Sequence, residues 1–76
     1  MSRPPPRLYV DAPLSAGIAC ALDSAQGHYL RDVMRLRPGD AVTLFNGRDG
    51  EWRCRITELA RKAAAAEAET MIRPQP

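Results

Sequence analysis

The fold of this protein is decided by one stretch, AVTLFNGRDGEWRCRIT, which occupies residues 41–57. Its first five residues predict a strand with Val42, Leu44 and Phe45 as the apolar content, and its last part, Glu51 to Thr57, alternates strictly between polar and apolar side chains. Between the two parts lie an Asn-Gly and an Asp-Gly pair, which are strong signals for a β-hairpin. The stretch therefore predicts two antiparallel strands, the second half-buried, with Arg53 and Arg55 on its solvent face.

Two further strands are predicted toward the N-terminus. Arg7 to Val10 is rich in β-forming residues and is followed by stop signals, and residues 18–22 are a weaker candidate. The preceding Pro4-Pro5-Pro6 predicts a stiff, extended lead-in. With 76 residues the chain holds one domain at most, and that domain is expected to be mainly β.

One short helix is predicted between these strands. Asp23 is a typical N-cap and Gln26, three residues later, completes a capping box, so the helix begins near Ser24 and is expected to run to Met34. Gly27 inside it either costs about 1 kcal/mol relative to Ala or marks a close approach to the backbone.

A helical wheel divides this helix into two arcs. The apolar arc, expected to face the core, holds Tyr29, Leu30, Val33 and Met34. The opposite arc holds His28, Arg31, Asp32 and Arg35.

The C-terminal residues 63–73 allow two structures. The run of alanines and glutamates has high helix propensity, yet the same residues also alternate as a strand would, so strand and helix both stay open. Arg37-Pro38-Gly39-Asp40 is a turn. Pro74-Gln75-Pro76 has the composition of a linker, so a domain boundary with more protein beyond it is expected.

The charge pattern is compatible with a nucleic-acid partner but does not require one. The net charge is only +2, yet ten of the eleven basic residues are Arg, whose planar fork suits phosphates and bases. The candidate RNA-binding residues are Arg7, His28, Arg31, Arg35, Arg48, Arg53 and Arg55. The competing explanations are the amino-acid usage of a GC-rich genome and a solvated helix face on which Asp32 balances the arginines.

Several other classes of function are disfavoured by the sequence. No run of about 18 apolar residues could span a membrane, and the N-terminus lacks the apolar stretch of a signal peptide, so a cytoplasmic protein is expected. A zinc site is not expected, because there is one His and the two Cys lie 34 positions apart. No nucleophile has a base partner and no glycine-rich phosphate loop is present, so no catalysis is expected from this chain alone.

The order of four motifs resembles the N-terminal domain of the RsmE family, the bacterial small-subunit ribosomal RNA (uracil-N3)-methyltransferases. The motifs are RLYV at 7–10, HYLRDVMRL at 28–36, RPGD at 37–40 and LFNGRDGEW at 44–52. The departures from the family pattern are Met34, where Leu is more usual, and the Ala-rich tail, where the family has a clearer strand.

The resemblance implies a small PUA-like β-barrel that binds RNA and spans residues 1–76, with residues 74–76 beginning a linker. In such enzymes a C-terminal SPOUT domain, absent from this chain, binds S-adenosylmethionine, carries the catalytic machinery and forms the homodimer. The family methylates N3 of a uridine in 16S rRNA, apparently on the assembled small subunit, and this domain is expected to help dock that RNA. A barrel also needs closing, which favours a last strand over residues 63–73.

The family's residues carry over at nine positions of this sequence. Arg7, His28, Arg31 and Arg35 are the RNA candidates among them. Gly39, Asp40 and Trp52 are expected to be structural, and the two remaining matches are Asn46 and Gly47. The alternative to RNA docking is a protein-interaction barrel that packs against its own catalytic domain or a ribosomal protein.

Overall fold

The computed structural model describes residues 5–74 and confirms a mainly β chain with one short helix. The strands are β1 (Arg7–Tyr9), β2 (Ala19–Leu22), β3 (Ala41–Phe45), β4 (Glu51–Leu59) and β5 (Ala64–Arg73), and helix α1 (Ser24–His28) lies between β2 and β3. Pro4 of the predicted lead-in, and Gln75 and Pro76 of the predicted linker, lie outside the described residues.

The five strands form one sheet in the order β1-β3-β4-β5-β2. Strand β1 runs parallel to β3, and every other neighbouring pair is antiparallel. Within residues 5–74 the sheet does not close into the barrel that was expected, because β1 and β2 are edge strands that do not pair with each other. Instead, the side chain of Gln26 in α1 donates a hydrogen bond of 2.6 Å to the backbone oxygen of Tyr9, which ties the helix to the β1 edge.

The hairpin forms as its sequence predicts. β3 and β4 pair from Phe45 opposite Glu51 to Ala41 opposite Arg55. In the turn, the Asn46 side-chain oxygen accepts hydrogen bonds from the backbone N–H groups of Arg48 and Asp49, at 2.9 and 2.8 Å. An Asn side chain that bonds to the backbone two and three residues on imitates a backbone turn, so the local sequence fixes this connection.

The C-terminal segment is a strand, which confirms the alternative that the family resemblance favoured. β5 lies between β4 and β2, so both of its edges are hydrogen-bonded, and this pairing outweighs the helix propensity of its alanines. Ala64, Ala66 and Ala68 are buried, but the alternation does not continue to Thr70 and Ile72, which are exposed.

The core lies on the inner face of this sheet. Its largest fully buried side chains are Leu30, Leu44, Ile56, Val42, Cys20 and Cys54. Trp52 is also in the core, as expected, and its indole N–H donates to the backbone oxygen of Asp49 at 2.8 Å. No helix in the described range is long and apolar enough to cross a membrane.

The prediction of a regular helix over 24–34 is wrong beyond His28. The capping box of Asp23 and Gln26 is present, but Tyr29–Val33 adopts π-helical geometry, closed by a 2.9 Å bond from the backbone N–H of Met34 to the oxygen of Tyr29. Each π-helical turn holds more residues than an α-turn and therefore rotates the side chains that follow.

This rotation also corrects the predicted apolar arc. Leu30 is fully buried, whereas 38% of Tyr29 and 60% of Val33 are exposed. Only one side chain of the predicted arc therefore reaches the centre of the core, and Met34 is half-buried.

Another segment, the start of β5, lies close to the backbone at Gly27. This is the second of the two explanations given above for a glycine inside the helix. A Cβ atom added at Gly27 would lie 3.1 Å from the Cβ of Ala64 at the start of β5. A glycine is therefore what allows α1 to pack against the end of the sheet.

Candidate nucleic-acid interface

Three of the predicted RNA-binding arginines share the outer face of the sheet. Arg7 in β1 lies opposite Thr43, and Thr43 lies opposite Arg53 in β4. Residues directly opposite each other point to the same side of a sheet, and Arg55 follows Arg53 by two positions on the same side. Since Trp52, which precedes Arg53, points into the core, Arg53 and Arg55 point to solvent, as predicted, and Arg7 points to the same side.

Glutamates on the same face neutralise part of this charge. The Arg7 guanidinium lies 2.8 Å from the Glu51 carboxylate, which Arg73 approaches to 4.0 Å. Arg55 lies 3.4 Å from Glu67 and 3.2 Å from Glu69. Exposed pairs of this kind contribute roughly 0–1 kcal/mol each, so a phosphate could compete for the arginines.

Arg53 differs from its neighbours in this respect. Within residues 5–74 it forms no ion pair with a carboxylate. Its guanidinium is therefore available to an anion without first breaking an ion pair.

A second group of predicted residues lies on the helical segment. The Asp32 carboxylate accepts hydrogen bonds from Arg31 at 2.7 and 3.1 Å, and His28 Nδ1 lies 2.9 Å from the same carboxylate. The hydrogen bonds from Arg31 lower the pKa of Asp32, and those same bonds raise the pKa of Arg31. Asp32 therefore balances the two basic side chains, which is the arrangement that a solvated helix face would also have.

Arg35 does not continue this group along a helix. The segment ends before it, and Arg35 has a φ of 57°, in the left-handed region that residues other than glycine rarely adopt. The prediction that Arg35 shares one helical arc with His28 and Arg31 is therefore wrong. Arg35 is exposed.

Arg48 lies at the tip of the β3–β4 hairpin and is exposed, as predicted. Its position is held by the turn beneath it. Asp49 accepts hydrogen bonds from the Asn46 amide and from the backbone N–H of Leu14, at 2.8 and 3.0 Å, and these bonds lower its pKa. This network fastens the hairpin tip to the loop that follows β1.

Two further basic residues near this region were not predicted as RNA-binding residues. Arg61 and Lys62 lie in the turn between β4 and β5 and line a small cavity of about 40 Å³ that His28 and Gly27 also line. Their place beside His28 depends on the contact of α1 with the start of β5, which no local sequence pattern indicates.

The sequence also did not indicate an aromatic pair on the outer face, formed by exposed Tyr9 and half-buried Phe45. The rings of Tyr9 and Phe45 meet edge to face, with centroids 5.8 Å apart, and the Arg7 guanidinium lies 4.9 Å from the centre of the Phe45 ring. No sequence signal places these side chains together, because the paired residues of β1 and β3 are 36 positions apart in the chain. Within residues 5–74, no group of three or more His, Cys, Asp or Glu side chains could hold a metal ion.

Comparison with known proteins identifies the family of this chain. Residues 22–69 match the family described as the RNA methyltransferase PUA domain. The protein named ribosomal RNA small subunit methyltransferase E of Rickettsia conorii is 28% identical over 68 residues, which cover 88% of this chain and 28% of that protein. The protein of the same name from Synechocystis is 42% identical over 43 residues, which cover 57% of this chain and 14% of that protein.

Solved structures show the same fold. The ribosomal RNA small subunit methyltransferase E of Neisseria gonorrhoeae, solved with S-adenosylmethionine, matches with a TM-score of 0.73 and 33% identity, over 84% of this chain and 27% of that one. A methyltransferase from Legionella pneumophila, also solved with this cofactor, gives 0.74 and 25%, over 84% and 26%. The chain thus spans less than a third of the length of these relatives, and the predicted PUA-like fold is confirmed. This chain belongs to the RNA methyltransferase PUA domain family.

Proposed function

We propose that this chain is the RNA-binding domain of a 16S rRNA (uracil-N3)-methyltransferase and that it helps to dock small-subunit rRNA without catalysing methyl transfer itself. The observation that carries the proposal is the outer face of the sheet, where Arg7, Arg53 and Arg55 come from two separate strands of a PUA-like domain. Arginines spread over such a face can contact several phosphates at once.

The helical residues supply a second contact region in this proposal. His28 and Arg31 already bind the carboxylate of Asp32, which shows that their donors can converge on one anionic group. A phosphate oxygen is an anionic acceptor of the same kind. Exposed Arg35 and Arg48 extend the proposed RNA-binding surface, as do Arg61 and Lys62 beside His28.

S-adenosylmethionine belongs, in this proposal, to the part of the enzyme beyond this chain. The two cavities described here are the small one beside His28 and a surface cleft of about 400 Å³ lined by β1 and α1. The first is too small for a nucleoside, and the second is open to solvent, whereas cofactor sites enclose most of their ligand. We therefore assign the cofactor, the catalytic machinery and the homodimer contacts to a C-terminal methyltransferase domain.

The test is a salt series with the 76-residue chain and a fragment of small-subunit rRNA. If arginines contact phosphates, the logarithm of the affinity falls linearly with the logarithm of the salt concentration. Arg53→Gln should reduce that slope by about 1, because each lost phosphate contact removes about one released counterion. Arg37→Gln, which makes the same charge change in the turn before β3, is the matched control and should leave the slope nearly unchanged.

This second region is tested by replacing Arg31, on the helical segment, and Arg35, just beyond it, together with Gln. We expect weaker RNA binding with unchanged thermal unfolding, because Arg35 is exposed and half-buried Arg31 pairs with exposed Asp32. Equal binding by the double variant and the parent would make the segment a solvated face only. Binding that is absent, or insensitive to salt, would refute the proposed function.

Exposed apolar side chains favour the alternative that this domain binds another protein. Tyr29 and Val33 are exposed on one segment, and Met71 and Ile72 are exposed at the end of β5. Exposed apolar side chains that gather into a patch are typical of protein contacts. In that case Val33→Ser would leave RNA binding unchanged and weaken association of this domain with its own catalytic domain or with a ribosomal protein.

A further inference from the structure

Tyr9 and Phe45 form an aromatic pair on the solvent side of the sheet. The pair lies directly across the β1–β3 contact, and Glu51 of β4 completes the same row. Tyr9 is 54% exposed even though its ring meets Phe45 edge to face, at an interplanar angle of 72°. A large part of the Tyr9 side chain is therefore available to a planar ligand.

Arginine groups flank this aromatic pair. The Arg7 guanidinium is held over Phe45 by its ion pair with Glu51, whose side chain is only 19% exposed. In the next row, Arg53 lies two strands away from Arg7, across Thr43. Neighbouring strands are about 4.8 Å apart, so the backbones of these two residues lie about 10 Å apart, and their long side chains can reach separate phosphates of one RNA strand.

We infer that Tyr9 and Phe45 form a stacking platform for an unpaired RNA base, with Arg7 and Arg53 on the adjoining phosphates. This inference rests on the proposed RNA binding and specifies its substrate, namely single-stranded rather than duplex RNA. Every base has a π-face that stacks on an aromatic ring, so such a platform accepts any sequence. A base inside an A-form duplex is already stacked on its neighbours and cannot reach a ring on a protein surface.

The competing explanation is purely structural. Aromatic pairs across two strands stabilise a sheet by their mutual contact alone. This explanation accounts for the contact of Tyr9 with Phe45, and it predicts no response of the pair to RNA. The two explanations therefore differ in a binding measurement and not in a stability measurement.

The experiment compares single-stranded and duplex RNA, each of about 10 nucleotides per strand, which is within the site size of such surfaces. The single strand carries 2-aminopurine, whose fluorescence falls when the base stacks. We expect the 76-residue chain to prefer the single strand and to quench this fluorescence. Tyr9→Leu keeps apolar bulk but removes the π-face, and it should weaken single-strand binding about tenfold, as expected for one lost stacked base.

Two variants control the experiment. Tyr9→Trp keeps an aromatic face and should bind within about twofold of the parent, since stacking tolerates the change of ring. Tyr29→Leu makes the same substitution at the other tyrosine, which is also exposed but lies on the helical segment, and it should bind as the parent does. Thermal unfolding of each variant verifies the fold, and the quenching by the unaltered chain tests the inference even if Tyr9→Leu does not fold.

The outcomes separate this inference from the proposed function. Single-strand binding without quenching, or equal binding by Tyr9→Leu and the parent, overturns the stacking platform and leaves RNA binding in place. A preference for the duplex does the same. Failure to bind either RNA at low salt overturns both proposals.

Discussion

Replacement of Gly27 by Ala should destabilise this domain, although the same change stabilises most helices. In a helix interior Ala is favoured over Gly by about 1 kcal/mol. Against this gain stands the new Cβ, which would lie 3.1 Å from the Cβ of Ala64, well inside the usual contact distance of about 3.5–4.0 Å between carbon atoms. The sign of the effect depends on whether Ala64 can move.

The structure indicates that Ala64 is held firmly. It is paired with Leu22 of β2 on one side and with Leu59 of β4 on the other, and it is 8% exposed. A methyl group has no rotamer to change, so relief requires a shift of the strand or the helix. Overpacking of this kind costs about 1–3 kcal/mol, which exceeds the helix gain and leaves a net loss of about 1 kcal/mol.

Urea unfolding followed by the fluorescence of buried Trp52 measures this loss. For a domain of this size the midpoint should fall by about 1 M, since the dependence on urea is about 1 kcal/mol per M. Ala25→Gly, at an exposed position of the same helix, measures the propensity contribution by itself. The double variant with Gly27→Ala and Ala64→Gly should show a favourable coupling of about 1–2 kcal/mol, because the two Cβ atoms no longer collide.

A higher midpoint for Gly27→Ala than for the parent would refute this reasoning. So would a coupling of zero in the double variant, because it would mean that the two positions do not touch. Either result would show that α1 does not pack against the start of β5 as described.

Three further predictions follow from the core and the hairpin. Leu30→Ala should lower the free energy of unfolding by about 2–5 kcal/mol, because its side chain is fully buried, whereas exposed Val33→Ala should change it by less than about 0.5 kcal/mol; equal losses would contradict the π-helical rotation. Hydrogen bonds, chiefly the one from Asn46, lower the folded-state pKa of Asp49. Its ionised form therefore stabilises the fold above the unfolded pKa of about 4. That contribution is lost as the pH falls through the folded pKa. Asp49→Asn should therefore flatten the fall of Tm below about pH 4, and an unchanged profile would contradict this role. Burial raises the pKa of Cys54 to about 11, so a thiol reagent at neutral pH should label it only as fast as the domain unfolds, and rapid labelling of the folded protein would contradict its place in the core.

Local chemistry explains why some elements could be predicted from the sequence. The β3–β4 hairpin depends on turn residues next to its own strands, and the capping box joins Asp23 to a residue three positions away. The alternation of Trp52, Cys54 and Ile56 sets the buried face, so Arg53 and Arg55 were correctly placed in solvent. In each case the interacting groups are close in sequence, and the pattern therefore carries the information.

Contacts between distant segments decided the remaining features. The alanines of β5 favour a helix by propensity, and only pairing with β4 and β2 makes them a strand. The π-helical turn, which exposes Val33 and carries Arg35 away from the predicted arc, is an adjustment of the backbone that side-chain periodicity does not encode.

The candidate site shows the same division. The sequence by itself determined the hairpin, the helix start and the two arginines of β4, because local hydrogen bonds and alternation are sufficient for them. Only the tertiary structure brought Arg7 and Tyr9 beside Phe45, through the parallel pairing of β1 with β3. Such a pairing joins residues far apart along the chain, and its free energy comes from packing and backbone hydrogen bonds that exist only once the whole sheet has formed.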